Sequence, residues 1–128
     1  MQGLHITADL HGCACAAALL TDAALLGTLC VNAVEQAGLQ AVAKLLHTFP
    51  ATPLGPGGVT ATVLLAESHL CVHTWPEQSA VTLDVYVCNF GADHSDKAER
   101  LMAGLQNIFA PTTANMHRLL RGAPSMHD

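Results

Sequence analysis

Positive charge is scarce in this chain: five lysines and arginines stand against ten aspartates and glutamates, a formal net charge of −5. Nucleic-acid backbones and anionic membrane surfaces are held by clustered basic residues, and no such cluster occurs, so neither partner is expected. No apolar run approaches the roughly 20 residues that cross a bilayer. The opening MQGLHITADLHG has neither the basic start nor the long apolar stretch of a secretory signal, and the expectation is a cytoplasmic protein. The five cysteines (13, 15, 30, 71 and 88) are odd in number and follow no scaffold spacing, which points to reduced thiols rather than a disulfide framework. No phosphate-cradling glycine motif lies beside a basic residue. Aromatic residues make up only 4%, so a flat ligand has few rings to stack on: Phe49, Trp75, Tyr86, Phe90 and Phe109.

What the chain has in quantity is apolar surface. Over 128 residues it is 51% hydrophobic and 12% charged, which suits one compact domain spanning 1–128. Residues 3–10 read as a strand. From Thr21 to Ala37 the positions Leu25, Leu26, Leu29, Ala33, Val34 and Ala37 follow a helical stripe, with Thr21 or Asp22 available as a cap and Gly38 placed to end it. A short strand covers 40–47, and FPATPLGPGG must be a loop. Strands follow at 59–66, 69–75 and 80–88. A second helix runs over 96–109, with Asp96 and Glu99 at capping-box spacing, and 112–120 closes the sheet.

Written as an order, βαβββαβ, this predicts an α+β two-layer sandwich: a mainly antiparallel sheet with two helices on one face. Alternation gives that sheet a second, polar face. If Val81, Leu83, Val85 and Val87 meet the helices, then Thr82, Asp84, Tyr86 and Cys88 turn away, and Cys71, His73 and Trp75 do the same opposite Leu70, Val72 and Thr74. A face bearing Trp75, Tyr86 and two thiols suits burial against a second sheet, with a pocket between.

Reactive chemistry is concentrated in LLAESHLCVHTWPE, residues 64–77, where Glu67-Ser68 falls in a tight link between two strands, the peptide bond most exposed and most readily strained. Outside this setting Ser68 would be an ordinary turn residue, His73 a half-buried histidine, and Cys88 a small core hydrophobe, as Cys13, Cys15, Cys30 and Cys71 are taken to be. His69, Cys71, His73 and Cys88 have metal-ligand chemistry. Three ligands on one straight strand span too far for tetrahedral zinc, so no metal is expected.

The pattern LAESHLCVHTWPE, with the cysteine of TLDVYVCNFG downstream, resembles the short prokaryotic S-adenosylmethionine decarboxylase proenzymes. GLHITADLHGC is similar to that family's opening, and HTFP to its His-Arg-Phe segment. The resemblance implies cleavage between 67 and 68. The Ser68 hydroxyl attacks the Glu67 carbonyl, the ester eliminates, and the new N-terminus hydrolyses to a covalent pyruvoyl group, the cofactor. Such an acyl shift needs a nucleophile, an acid or base beside it and a donor for the oxyanion; His73 and Thr60 match the family's processing residues. A substrate amine then forms a Schiff base with the pyruvoyl, which accepts the electrons left by CO₂, and Cys88 matches the proton donor. Glu77 matches a residue associated with substrate and catalysis, and Trp75, Phe49 and the Glu67 carboxylate are further candidates for lining the pocket. Two protomers are implied to close their open faces about a two-fold axis, as a homodimer of cleaved chains.

The chain departs from that pattern at Gln78-Ser79-Ala80, where the family has Tyr-Gly-Tyr, at HTF, and between HTFP and Gly58, where it is several residues longer. Either Phe49 matches the family's stacking ring across that insertion, or Leu54 takes the position without one. S-adenosylmethionine is the substrate expected, for spermidine synthesis. Ornithine or arginine is the alternative within the same ancestry, with Asp84, Glu77 or Asp9 to face the distal cation. A third reading is an unprocessed, non-enzymatic binding or regulatory homologue.

Overall fold

A computed structural model of the chain describes residues 1–122. Six strands form one sheet: β1 (Gln2–His11), β2 (Ala41–Thr48), β3 (Val59–Leu65), β4 (Ser68–Trp75), β5 (Ala80–Cys88) and β6 (Thr113–Gly122). Their order across the sheet is β2-β3-β4-β5-β1-β6, and every neighbouring pair is antiparallel. A one-turn helix α1 (Ala18–Thr21) leads into α2 (Ala23–Gln36), and α3 (Ser95–Phe109) precedes the last strand. Four strands stand between the two main helices. The order is therefore βαββββαβ: the six strands read from the sequence are all present, and the formula βαβββαβ counts one of them too few. The α+β two-layer class is as expected.

Period-two patterning builds the sheet. Leu4, Ile6, Ala8 and Leu10 of β1, Val59, Ala61, Val63 and Leu65 of β3, Leu70 and Val72 of β4, and Val81, Leu83, Val85 and Val87 of β5 are all buried on one face. Against them α2 packs over β2 and β3, and α3 over β1 and β5. The helices contribute Leu26, Cys30, Ala33 and Val34, and Ala98, Leu101, Met102, Leu105 and Phe109. Full burial of each larger apolar side chain is worth roughly 1.5–3 kcal/mol.

The α2 stripe is rotated from the sequence reading: Leu25 is exposed, and Gly27 and Cys30 take the inward positions. At Gly27 a Cβ would stand 2.9 Å from the end of the Leu46 side chain, so the helix lies close on β2 there. Asp22 caps the helix by accepting from the Leu25 N–H. At the other end Gly38 (φ 89°) donates to the Glu35 carbonyl and Leu39 to that of Val34, the paired bonds of a Schellman motif. The Asp96/Glu99 capping box does not form. The helix begins one residue earlier, at Ser95, whose N–H is met by Asp93, and Glu99 instead binds Arg118 on β6.

Among the described residues no helix packs on the opposite face. Across it run two rows of partners, Leu64–His69–Tyr86–His5–Leu119 and Thr60–His73–Thr82–Asp9–Asn115. Among the described residues no helix is long and apolar enough to cross a membrane.

Candidate active site

Ala66 and Glu67 alone link β3 to β4, and Leu65 pairs with Ser68 across the turn. The Glu67 carboxylate is pinned backwards, accepting the Gln40 N–H at 3.1 Å, while the Ala66 N–H donates to the Gln40 carbonyl. The Glu67 main-chain carbonyl accepts the N–H of Cys88 at 2.8 Å. Ser68 pairs with Val87, so Cys88, the last residue of β5, stands beside the 67–68 bond. Ser68 has a positive φ, 159°, one of three such non-glycine residues among those described, at the edge of the extended range.

At the other end of β4, the Thr60 hydroxyl lies 3.0 Å from Nδ1 of His73 across the β3–β4 pair. Both side chains line a cavity of about 330 Å³ together with Phe49, Leu54, Trp75 and Glu77. The Trp75 indole N–H donates to the Thr82 hydroxyl, and Phe49 meets the His47 ring edge-on at 4.7 Å. Gly58 lets the 49–58 loop close onto β4, since a Cβ there would stand 2.1 Å from the Thr74 carbonyl oxygen. Phe49 and Leu54, the two candidates for one position, both line this cavity.

The expected residues thus fall into two groups. Glu67, Ser68 and Cys88 form one; Thr60, His73, Phe49, Trp75 and Glu77 form the other. Ser68 and His73 are five residues apart on one strand, about 16 Å at a rise of ~3.3 Å per residue. A single chain therefore does not bring His73 to Ser68, contrary to the grouping drawn from the motif.

Between the groups lies a cluster that the sequence reading missed. His5 Nε2 and His69 Nε2 approach Asp84 Oδ2 at 2.9 and 3.4 Å, and Arg121 Nη1 is 2.9 Å from His5 Nδ1. The ligand atoms of His5, His69 and Asp84 lie within 4.8 Å of one another, near enough to share a cation. Arginine can only donate, so His5 Nδ1 accepts and its proton sits on Nε2, facing Asp84. That nitrogen has no lone pair left for a metal. Cys71 lies half-buried on this open face beside Thr62, where strand alternation put it, and is not the core residue that its thiol alone suggested. Its thiol is pushed up mainly by burial, against a lowering hydrogen bond from Thr62. Glu77 lines the cavity that holds Phe49, Leu54 and Trp75, whereas Asp9 and Asp84 line a second one of about 340 Å³ that also reaches His73, with Asp84 held there by its two histidines.

Residues 4–122 match the family model described as S-adenosylmethionine decarboxylase. The chain belongs to that family. An S-adenosylmethionine decarboxylase proenzyme of Picrophilus torridus is 34% identical over 126 residues, covering 98% of this chain and 88% of the relative. One of Thermoplasma acidophilum is 33% identical over 126 residues, covering 94% and 83%. The crystal structure of the adenosylmethionine decarboxylase from Aquifex aeolicus VF5 superposes with a TM-score of 0.81 at 33% identity, covering 97% of this chain and 93% of that one. The S-adenosylmethionine decarboxylase fold thus spans the described sheet and both main helices, including each residue of the two groups.

Proposed function

We propose that this protein is a self-processing, pyruvoyl-dependent S-adenosylmethionine decarboxylase that cleaves its own chain between Glu67 and Ser68. The observation that carries this reading, beside membership of the family, is the Cys88 N–H aimed at the Glu67 carbonyl oxygen at 2.8 Å. When the Ser68 hydroxyl attacks that carbonyl carbon, negative charge develops on the oxygen. A main-chain donor already in place stabilises that charge with no reorganisation. The C–N bond then gives way to a C–O ester, and the Ser68 amine takes the proton. Ser68 has the hydroxyl from which a pyruvoyl group is made, so the residues present fit the cofactor. That group supplies an electron-withdrawing carbonyl that takes up the substrate amine and draws the electrons left by CO₂. The Cys88 thiol, beside the same bond, is the acid that returns a proton to the substrate α-carbon.

His73 and Thr60 serve processing from the far end of β4, which one chain cannot arrange. A second copy, related by a two-fold axis and packed on the open face, places its His73 end over the Ser68 end of the first. Leu45, Leu64, Trp75 and Leu119 are exposed on the uncovered sheet, apolar surface of the kind that a partner sheet covers. Each of two composite sites would then hold Ser68 and Cys88 from one protomer, and Thr60, His73, Phe49, Trp75 and Glu77 from the other. Phe49 and Trp75 offer ring faces to adenine, and Glu77 a carboxylate to the cationic sulfonium. The homodimer works in the cytoplasm, supplying aminopropyl groups for spermidine synthesis.

The test is product analysis with purified protein and three candidate substrates supplied separately. Release of CO₂ from S-adenosylmethionine, with none from ornithine or arginine, is the expected result. Release from either amino acid instead would overturn the substrate assignment, and none from any of the three would overturn the enzyme reading.

A further inference from the structure

We infer that Tyr86 is a positioning residue for the acid of this reaction: its hydroxyl holds the Cys88 thiol and then stabilises the thiolate that remains once the proton has been delivered. The inference rests on the reading of Cys88 as proton donor and extends it to a residue to which the resemblance assigned no role. Tyr86 and Cys88 are two apart on β5 and share the open face, and the Cys88 Sγ–H donates to the Tyr86 hydroxyl oxygen at 3.5 Å.

The ring is held where it can do this. Gly3 lies opposite Cys88 in register, and a Cβ on Gly3 would stand 3.0 Å from the ring and 3.3 Å from its hydroxyl. The ring therefore leans over the space that glycine leaves. The Arg121 guanidinium sits 5.3 Å from the ring centroid, and His5 and His69 rings flank it at 5.4 and 5.7 Å. Arg121 is itself tied to His5, and His5 to Asp84. Arg121, His5 and His69 of that cluster thus surround one phenol ring.

The chemistry balances without further reagents. The thiol S–H bond breaks, its proton goes to the substrate α-carbon, and the electron pair stays on sulfur. The sulfur, until then the donor, becomes an acceptor. The Tyr86 O–H turns to donate to it, a charge-assisted bond stronger than the neutral one it replaces. The Tyr86 hydroxyl is held above its ordinary pKa, first by its hydrogen bond with Cys88 and then by burial, so it keeps its proton while the neighbouring sulfur is charged. Solvent then reprotonates the thiolate.

Tyr86→Phe keeps the ring and its neighbours and removes only the hydroxyl. Two readouts test it. The first uses Ser68→Ala protein, which carries no pyruvoyl group: iodoacetamide labelling of Cys88 at pH 8, followed by peptide mass, should slow about two- to three-fold when Tyr86→Phe is added, because the attacking sulfur loses the hydroxyl that donates to its anionic form. A merely steric role predicts the opposite sign, since removing the hydroxyl opens access to the sulfur. The second uses the cleaved protein with substrate. The share of C-terminal chains that begin with alanine rather than pyruvoyl, the mark of a proton delivered to the wrong carbon, should rise several-fold over wild type. If either readout stays at the wild-type value, the assignment of Tyr86 is overturned. If Cys88→Ala leaves the alanine share and turnover at the wild-type level, the underlying reading of Cys88 fails instead, whatever Tyr86 does.

Discussion

The Cys88 N–H and the Glu67 carbonyl oxygen, 2.8 Å apart, join the end of β5 to the peptide bond that opens β4. This donor belongs to the main chain, so it survives substitution of the Cys88 side chain. Cys88→Ala protein should therefore still split into two chains while losing most of its turnover, measured as CO₂ release per pyruvoyl-bearing chain. Failure to split would mean that the thiol itself takes part in processing.

The separation of Ser68 from His73 predicts processing in trans. Neither Ser68→Ala nor His73→Ala chains should cleave alone at the wild-type rate. Co-expressed with distinguishable tags, they should form a mixed dimer in which the His73→Ala chain is cut, since it keeps Ser68 and its partner supplies His73. Gel analysis reads the outcome. A His73→Ala chain that stays whole in the mixture would place both residues' action within one protomer.

Much of the fold was legible because a sheet covered on one face writes a period of two. Val81, Leu83, Val85 and Val87 are buried, as are Leu70 and Val72, and each strand was located within about two residues of its final bounds. The α2 stripe was less legible, because Leu25 and Cys30 are both apolar and a rotation of the helix exchanges them without leaving the pattern. The capping box failed because Asp93 satisfies the Ser95 N–H and starts the helix earlier. Within the site, the two-group arrangement was readable in principle, since five residues of strand cannot bring Ser68 to His73. The motif, being contiguous, obscured it. The Cys88 N–H and the His5–Asp84–Arg121 cluster were not readable, because both depend on strand register and on β1 lying between β5 and β6, across long stretches of sequence.

Thr74 has the parity of Leu70 and Val72 and is buried among them. Its hydroxyl accepts the Val59 N–H at 2.8 Å and donates to the Leu20 carbonyl at 2.7 Å, tying α1 to the sheet. Thr74→Val preserves shape and leaves both groups unpaired, so urea unfolding should show a loss of about 1–3 kcal/mol. A loss well under this range would mean that water reaches both groups.

Cys30 is fully buried in α2, and burial pushes its thiol up to about 12. Below its ordinary value of roughly 8.5 the thiol is neutral in folded and unfolded chains alike, and the contribution to stability is complete. As the pH rises from there toward 12, the unfolded chain releases the proton first and stability is lost, at up to about 1.4 kcal/mol per pH unit from this one group. Cys30→Ala should flatten that alkaline limb by about one proton relative to wild type. An unchanged slope would show that Cys30 titrates alike in both states.

The central claim is that the chain makes its own cofactor at Ser68, and intact mass after incubation at neutral pH tests it most directly. Purified wild-type protein should resolve into residues 1–67 and residues 68–128, the second blocked to Edman degradation and carrying pyruvoyl in place of serine, while Ser68→Ala stays whole. A wild-type protein that remains a single chain of 128 residues after prolonged incubation would contradict the account.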